Sequence, residues 1–68
     1  MYMTAVLTPA DIGGYVAYNP ETGTASQGET FEVAVANLRE AVELYLEEFP
    51  MKQEGAAIVT HFDIPAHA

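Results

Sequence analysis

The chain has no cysteine, and only two of its 68 residues, Arg39 and Lys52, are basic. Without cysteine it can form neither a disulfide framework nor a thiolate zinc site. Two separated basic residues argue against direct nucleic-acid binding, because phosphate backbones are bound by clustered lysine and arginine. No apolar run approaches the roughly 18 residues of a membrane span, and the N-terminus lacks the basic and apolar regions of a signal peptide. The composition predicts a soluble, cytoplasmic protein that does not bind membranes.

Acidic residues dominate the charge: ten of them give a formal net charge of -8. Such a surface favours a basic partner, although solubility alone also explains it. The length predicts one domain over residues 1–68, with no C-terminal DNA-binding domain. A domain this small is marginal without a disulfide, a metal or a partner subunit. We therefore expect a homodimer or tetramer, or a chain that gains its stability from a different protein.

Three short segments predict β-strands, and turn residues separate them. They are Met3–Leu7, Tyr15–Tyr18 and Thr24–Gln27. The second strand is apolar on both faces, and one helix covers only one face of a small sheet. The other face, either Tyr15 with Ala17 or Val16 with Tyr18, is predicted to contact another subunit.

From Thr30 to Phe49 the apolar residues recur every three or four positions, which predicts an amphipathic helix with Thr30 as its N-cap. The apolar stripe consists of Phe31, Ala34, Val35, Leu38, Ala41, Val42, Tyr45, Leu46 and Phe49. Ala56–Ile64 alternates after a short loop and predicts a fourth strand. The expected fold is α+β with the order β-β-β-α-β, one helix packed on a small, mainly antiparallel sheet.

The polar side of the predicted helix carries a row of like charges, Glu40, Glu43 and Glu47, beside Arg39 and the apolar Leu44. Like charges at this spacing repel each other by a few tenths of a kcal/mol. Two interpretations stay open. The row is either a solvated surface partly balanced by Arg39, or a surface that binds a basic partner through these five residues.

Signals for catalysis are weak. Ser26 has no recognisable base nearby, and only Glu29 and Asp63 are acids placed to point inward. His61 and Asp63 share one side of the predicted fourth strand, which suits a hydrogen-bonding pair, and only His67 is available as a third metal ligand. We expect no catalytic residues, no bound metal and no cofactor, and therefore not an enzyme.

Three segments in order resemble the HicB-type antitoxin family. These are the glycine hairpin with Tyr-Val-Ala in residues 11–18, the Ser-Gln-Gly-Glu-Thr sequence of residues 26–30, and the acidic helix of residues 37–46 with its Glu-Leu-Tyr-Leu ending. The resemblance implies a partial ribonuclease-H-like fold. It also implies an antitoxin that binds a small basic HicA-type ribonuclease toxin and occludes its active site. The alternative is a solitary oligomeric binding or scaffold protein of the same fold without a toxin partner.

Overall fold

The computed structural model describes residues 1–52 and 55–66. It contains three strands, β1 (Val6–Pro9), β2 (Tyr15–Asn19) and β3 (Thr24–Gly28), followed by one helix, α1 (Phe31–Glu48). The strands form an antiparallel sheet in the order β1-β2-β3. The α+β class and the order β-β-β-α are therefore confirmed.

The first hairpin begins later than its sequence predicts. β1 pairs Val6 with Tyr18 and Pro9 with Tyr15, so it is shifted toward Pro9 relative to the predicted Met3–Leu7. A proline is tolerated there because β1 is an edge strand. The backbone N–H that Pro9 lacks therefore interrupts no ladder of hydrogen bonds. The predicted start of the strand is wrong because the Thr4 backbone N–H donates instead to the Glu21 carboxylate, at 2.8 Å.

The helix packs on one face of the sheet, chiefly against β3 and β2. Its buried residues Ala34, Leu38 and Val42 form the core with Ala17 of β2. Thr30 is the N-cap as predicted: its Oγ1 accepts a hydrogen bond from the Val33 N–H at 3.1 Å. The middle of the predicted apolar stripe is buried, whereas Phe31 and Phe49 are about half exposed and Tyr45 is about one third exposed.

The register of β2 decides between the two predicted outer faces. Ala17 is fully buried beneath the helix, and Tyr15 on the same face packs its ring edge-on against Phe31, with centroids 6.1 Å apart. Ala17 therefore has no surface left for another subunit in this fold. Val16 and Tyr18 lie on the opposite face and are exposed, so they are the half of the predicted oligomer interface that is available.

The predicted fourth strand is wrong for this chain on its own. Residues 55–66 contain no strand, and every one of them is exposed. A strand pattern needs a sheet edge that can pair with its N–H and C=O groups, and residues 55–66 pair with none of the three strands. Among the described residues, no helix is long and apolar enough to cross a lipid bilayer.

Candidate binding surfaces

The outer side of α1 is strongly acidic and fully accessible. Its exposed charged residues, here called the acidic face, are Glu32, Arg39, Glu40, Glu43, Glu47 and Glu48. Five negative charges and one positive charge leave this face with a net charge of -4. The Arg39 Nε donates to Glu43 Oε1 at 3.1 Å. An exposed pair of this kind contributes only about 0.3–0.5 kcal/mol, so most of the negative charge is uncompensated.

Apolar side chains interrupt the acidic face. Leu44 is 58% exposed, and it lies one helical turn from both Glu40 and Glu47. Val33 is also exposed, nearer the helix start. All five residues predicted to bind a partner, including Arg39 and Glu43, are thus on one accessible surface. An apolar residue surrounded by charge is the arrangement expected of a small contact surface with a polar rim.

A partly buried polar cluster, centred on Asn19, lies at the opposite end of the sheet from the first hairpin turn. The Asn19 side chain is completely buried. Its Nδ2 donates to the Thr4 backbone oxygen at 2.8 Å and to Glu21 Oε1 at 2.7 Å. Its Oδ1 accepts from the Thr22 backbone N–H at 2.9 Å and from the Thr22 hydroxyl at 2.6 Å. Both donors and both acceptor positions of the amide are therefore used.

Glu21 joins this cluster to two distant parts of the chain. Its carboxylate accepts from the Thr4 N–H at 2.8 Å, the Thr4 hydroxyl at 2.7 Å and the Ala57 N–H at 2.7 Å. These bonds stabilise the charged form and lower the pKa of Glu21 from 4.5 to about 2; the Thr4 N–H contributes most, then that of Ala57, and partial desolvation opposes them. One carboxylate thereby holds together the segment before β1, the β2–β3 turn and the start of residues 55–66.

The sequence did not reveal this role for Glu21. Glu29 and Asp63, the two acids predicted to point inward, are both exposed, and that prediction is wrong. Asn19 and Thr22 are typical turn residues, so the turn itself was predictable. The partners of Glu21 lie 17 and 36 residues away in sequence, and no local pattern encodes such a contact.

We expect the free energy of unfolding to fall as the pH is lowered from about 4.5 to about 2, because the unfolded chain takes up the Glu21 proton first. Above pH 4.5 this contribution is fully present. Glu21→Gln should reduce stability at pH 7 by roughly 1–2 kcal/mol through loss of charged hydrogen bonds, since solvent screens part of their strength. It should also make the free energy of unfolding less dependent on pH below about 4.5. Urea titrations followed by circular dichroism from pH 2 to pH 7 measure both effects.

The matched control is Glu29→Gln, the same substitution at an exposed acid. Its free energy of unfolding should fall with decreasing pH in the same way as that of the parent protein. Equal pH profiles for the two variants would show that Glu21 is not the linked group.

His61 and Asp63 lie on the exposed segment and not on a strand, so the predicted strand-face pair has no sheet to support it. In residues 1–52 and 55–66 there is no group of three or more His, Cys, Asp or Glu that could hold a metal ion. His67, the third ligand considered from the sequence, lies outside the described residues.

Comparison with known proteins shows a similarity to a curated cyanobacterial protein. The chain is similar to the UPF0150 protein ssr1765 from Synechocystis sp.. The two are 47% identical over 49 residues, which is 69% of this chain and 62% of that protein. The match therefore spans less than two thirds of the relative. No protein-family model and no solved structure matches the chain.

Proposed function

We propose that this protein is an antitoxin of the HicB type, which binds a small basic HicA-type ribonuclease toxin and occludes its active site. The acidic face with its net charge of -4 is the observation that carries the proposal. The three sequence segments that resemble HicB-type antitoxins support it. The β-β-β-α order agrees with the first four elements of the β-β-β-α-β fold expected from the sequence.

In this proposal, charge speeds up association and apolar contacts stabilise the complex once it has formed. Complementary charge accelerates encounter with a basic protein, and the effect weakens as salt shortens the Debye length to about 8–10 Å. Leu44 and Val33 supply apolar area that becomes buried once the partner has docked. A ribonuclease must expose basic residues to bind RNA, so an acidic surface that competes for those residues would block its substrate.

The experiment measures how two double charge reversals bind the product of the neighbouring gene, which the proposal predicts to be a small basic protein. Glu40→Lys with Glu47→Lys should slow association roughly 10–100-fold at low salt and change dissociation much less. Both residues are exposed, so the fold should tolerate the change. Stopped-flow or surface plasmon resonance at several salt concentrations measures the rates, and protection of RNA from cleavage measures inhibition.

The control is Asp11→Lys with Glu29→Lys, which changes the net charge equally at exposed acids outside α1. It should retain most of the association rate. If both variants associate equally fast, only net charge matters and the acidic face is an ordinary solvated surface. Failure of the parent protein to bind or inhibit the neighbouring protein would refute the antitoxin proposal.

A solitary oligomeric scaffold is the second candidate function. It is favoured by the exposed apolar residues outside the acidic face, Val16 and Tyr18 on the sheet and Ile58, Phe62 and Ile64 beyond the helix. Such a protein would self-associate tightly and would leave the neighbouring basic protein in the unbound fraction of a pull-down. The two candidates are thus separated by the same set of measurements.

A further inference from the structure

An open apolar groove lies beside the edge strand of the sheet. It runs between α1 and the segment before β1, and its volume is about 460 Å³. Its apolar lining includes Met3, Ala5, Val35, Leu38, Val42 and Leu46, and Arg39 and Glu43 of α1 line it as well. A cavity of about 150 Å³ holds a benzene molecule, so this groove has room for two or three large apolar side chains. It is a part of the core that the chain leaves unfilled.

The chain also carries a segment whose large apolar side chains are exposed. We call residues 55–66 the tail. Ile58 is 93% and Phe62 is 83% exposed, and Ile64 is exposed as well. These three residues are spaced so that they share one side of an extended chain. The Cα radius of gyration is 14.0 Å, against about 11 Å for a compact chain of this length, as expected when a segment extends from the body.

The tail begins beside the groove but does not enter it. The Ala57 N–H donates to Glu21 Oε2 at 2.7 Å, and the Ala57 oxygen accepts from the Thr4 hydroxyl at 3.3 Å. Thr4 itself lines the groove. These bonds fix where the tail leaves the body, and every described residue after Ala57 is exposed. The groove and the tail are therefore complementary, yet they do not meet within one chain.

The sheet offers a pairing edge on the same side. β1 is an edge strand, and it directly follows Ala5, which lines the groove. The opposite edge strand, β3, is partly protected, because the Asn37 side chain of α1 donates to the Gln27 backbone oxygen at 2.8 Å. A strand added along β1 would satisfy the unpaired backbone groups of that edge and direct alternate side chains into the groove.

We propose that the protein forms a symmetric dimer in which residues 58–64 of each chain pair with β1 of the other copy. Ile58, Phe62 and Ile64 then fill the apolar groove of that copy. The strand that the alternating sequence predicts is formed between chains and not within one. Arg39 and Glu43 of the acidic face line the same groove, whereas Glu40, Leu44 and Glu47 do not.

Area and charge both favour a second copy as the occupant. A seven-residue strand covering an edge and a groove buries on the order of 500 Å² on each side, so two exchanged tails bury roughly 2,000 Å², enough for a stable dimer. Each chain carries a net charge of -8, which opposes close contact of the bodies. Residues 58–64 contain a single acid, Asp63, so contact through the tail avoids most of that repulsion.

The first test is the mass in solution, measured by light scattering after size exclusion. The parent protein should be a dimer, and Ile58→Glu with Phe62→Glu should raise the dimer dissociation constant at least roughly 100-fold. Its helix content should stay near that of the parent, because neither residue packs on its own chain. His61→Glu, on the other side of the tail, should remain dimeric. A monomeric parent, or a dimer that survives the double substitution, overturns the proposal.

The second test separates exchange from closure of the tail on its own groove. The chain has no cysteine, so Ala5→Cys with Thr60→Cys introduces one defined pair. Oxidation should give a covalent dimer on a non-reducing gel. A covalently closed monomer would overturn the proposal in favour of closure within one chain. A dimer abolished by Tyr18→Lys but not by the tail substitutions would overturn it in favour of the outer sheet face.

Discussion

Gly28→Ala is expected to lower the free energy of unfolding by about 3 kcal/mol or more. A Cβ at Gly28 would lie 2.4 Å from the Ala34 backbone nitrogen and 2.7 Å from the Val33 carbonyl carbon. Both atoms belong to the backbone of α1, so no side-chain rotation relieves the overlap. The helix would have to move away from β3, and the core residues Ala34 and Leu38 would lose part of their packing.

Urea denaturation followed by circular dichroism at 222 nm measures this loss. Gly23→Ala is the matched control: Gly23 has φ = 76°, but an added Cβ there meets nothing within 4 Å. It should cost only about 1–2 kcal/mol, from the left-handed backbone conformation. If Gly28→Ala is milder than Gly23→Ala, the helix does not approach β3 as closely as described.

The close approach at Gly28 gives a physical reason for two of the glycine-containing segments noted in the sequence. A Cβ at Gly14 would lie 2.6 Å from the Gly28 carbonyl oxygen. Tyr15, which follows Gly14, is opposite Gly28 in the β2–β3 ladder. The hairpin glycines and the glycine before the helix therefore meet at one end of the sheet. Small residues are needed there because three backbone segments converge.

Asn19→Asp is the second substitution with a large expected effect, a loss of roughly 3–5 kcal/mol at pH 7. Asn19 Nδ2 lies 2.7 Å from Glu21 Oε1 and donates a hydrogen bond to it. Aspartate would place a second carboxylate at that position and remove both donors. It would also leave the Thr4 backbone oxygen without its Asn19 partner. The shape of the side chain is conserved, so charge and hydrogen bonding account for the loss.

The pH dependence of Asn19→Asp should have the opposite sign to that of the parent. Two carboxylates in contact share a proton, and the pKa of the pair rises above that of free Asp, about 3.9. The variant should regain stability as the pH falls toward about 4, where the introduced aspartate, once protonated, can donate to Glu21. The control is Gln27→Glu, which adds the same charge at an exposed site. A parent-like pH profile for Asn19→Asp would show that the two side chains are not in contact.

The local sequence pattern was enough to predict the helix and the presence of the three strands β1, β2 and β3. The apolar spacing from Thr30 to Phe49 and the N-cap hydroxyl of Thr30 are properties of neighbouring residues, and α1 begins and ends as they indicate. The acidic face was predictable for the same reason, because helical geometry alone places Glu40 and Glu47 on one side. The start of β1 was not, since a side-chain contact from Glu21 decided it.

What the sequence by itself determined is the identity of each element up to Glu48 and the direction in which its charged side chains point. Only the tertiary structure decided which face of β2 is buried, which acid is held by hydrogen bonds, and that the tail pairs with no strand among the residues that the structure describes. The physical reason is the sequence separation over which each kind of interaction acts. Helix periodicity and turn chemistry act between residues a few positions apart, whereas Glu21 reaches Thr4 and Ala57 across 17 and 36 residues. The alternating pattern of residues 56–64 indicates that a strand is favoured there, but it does not indicate which sheet edge that strand pairs with.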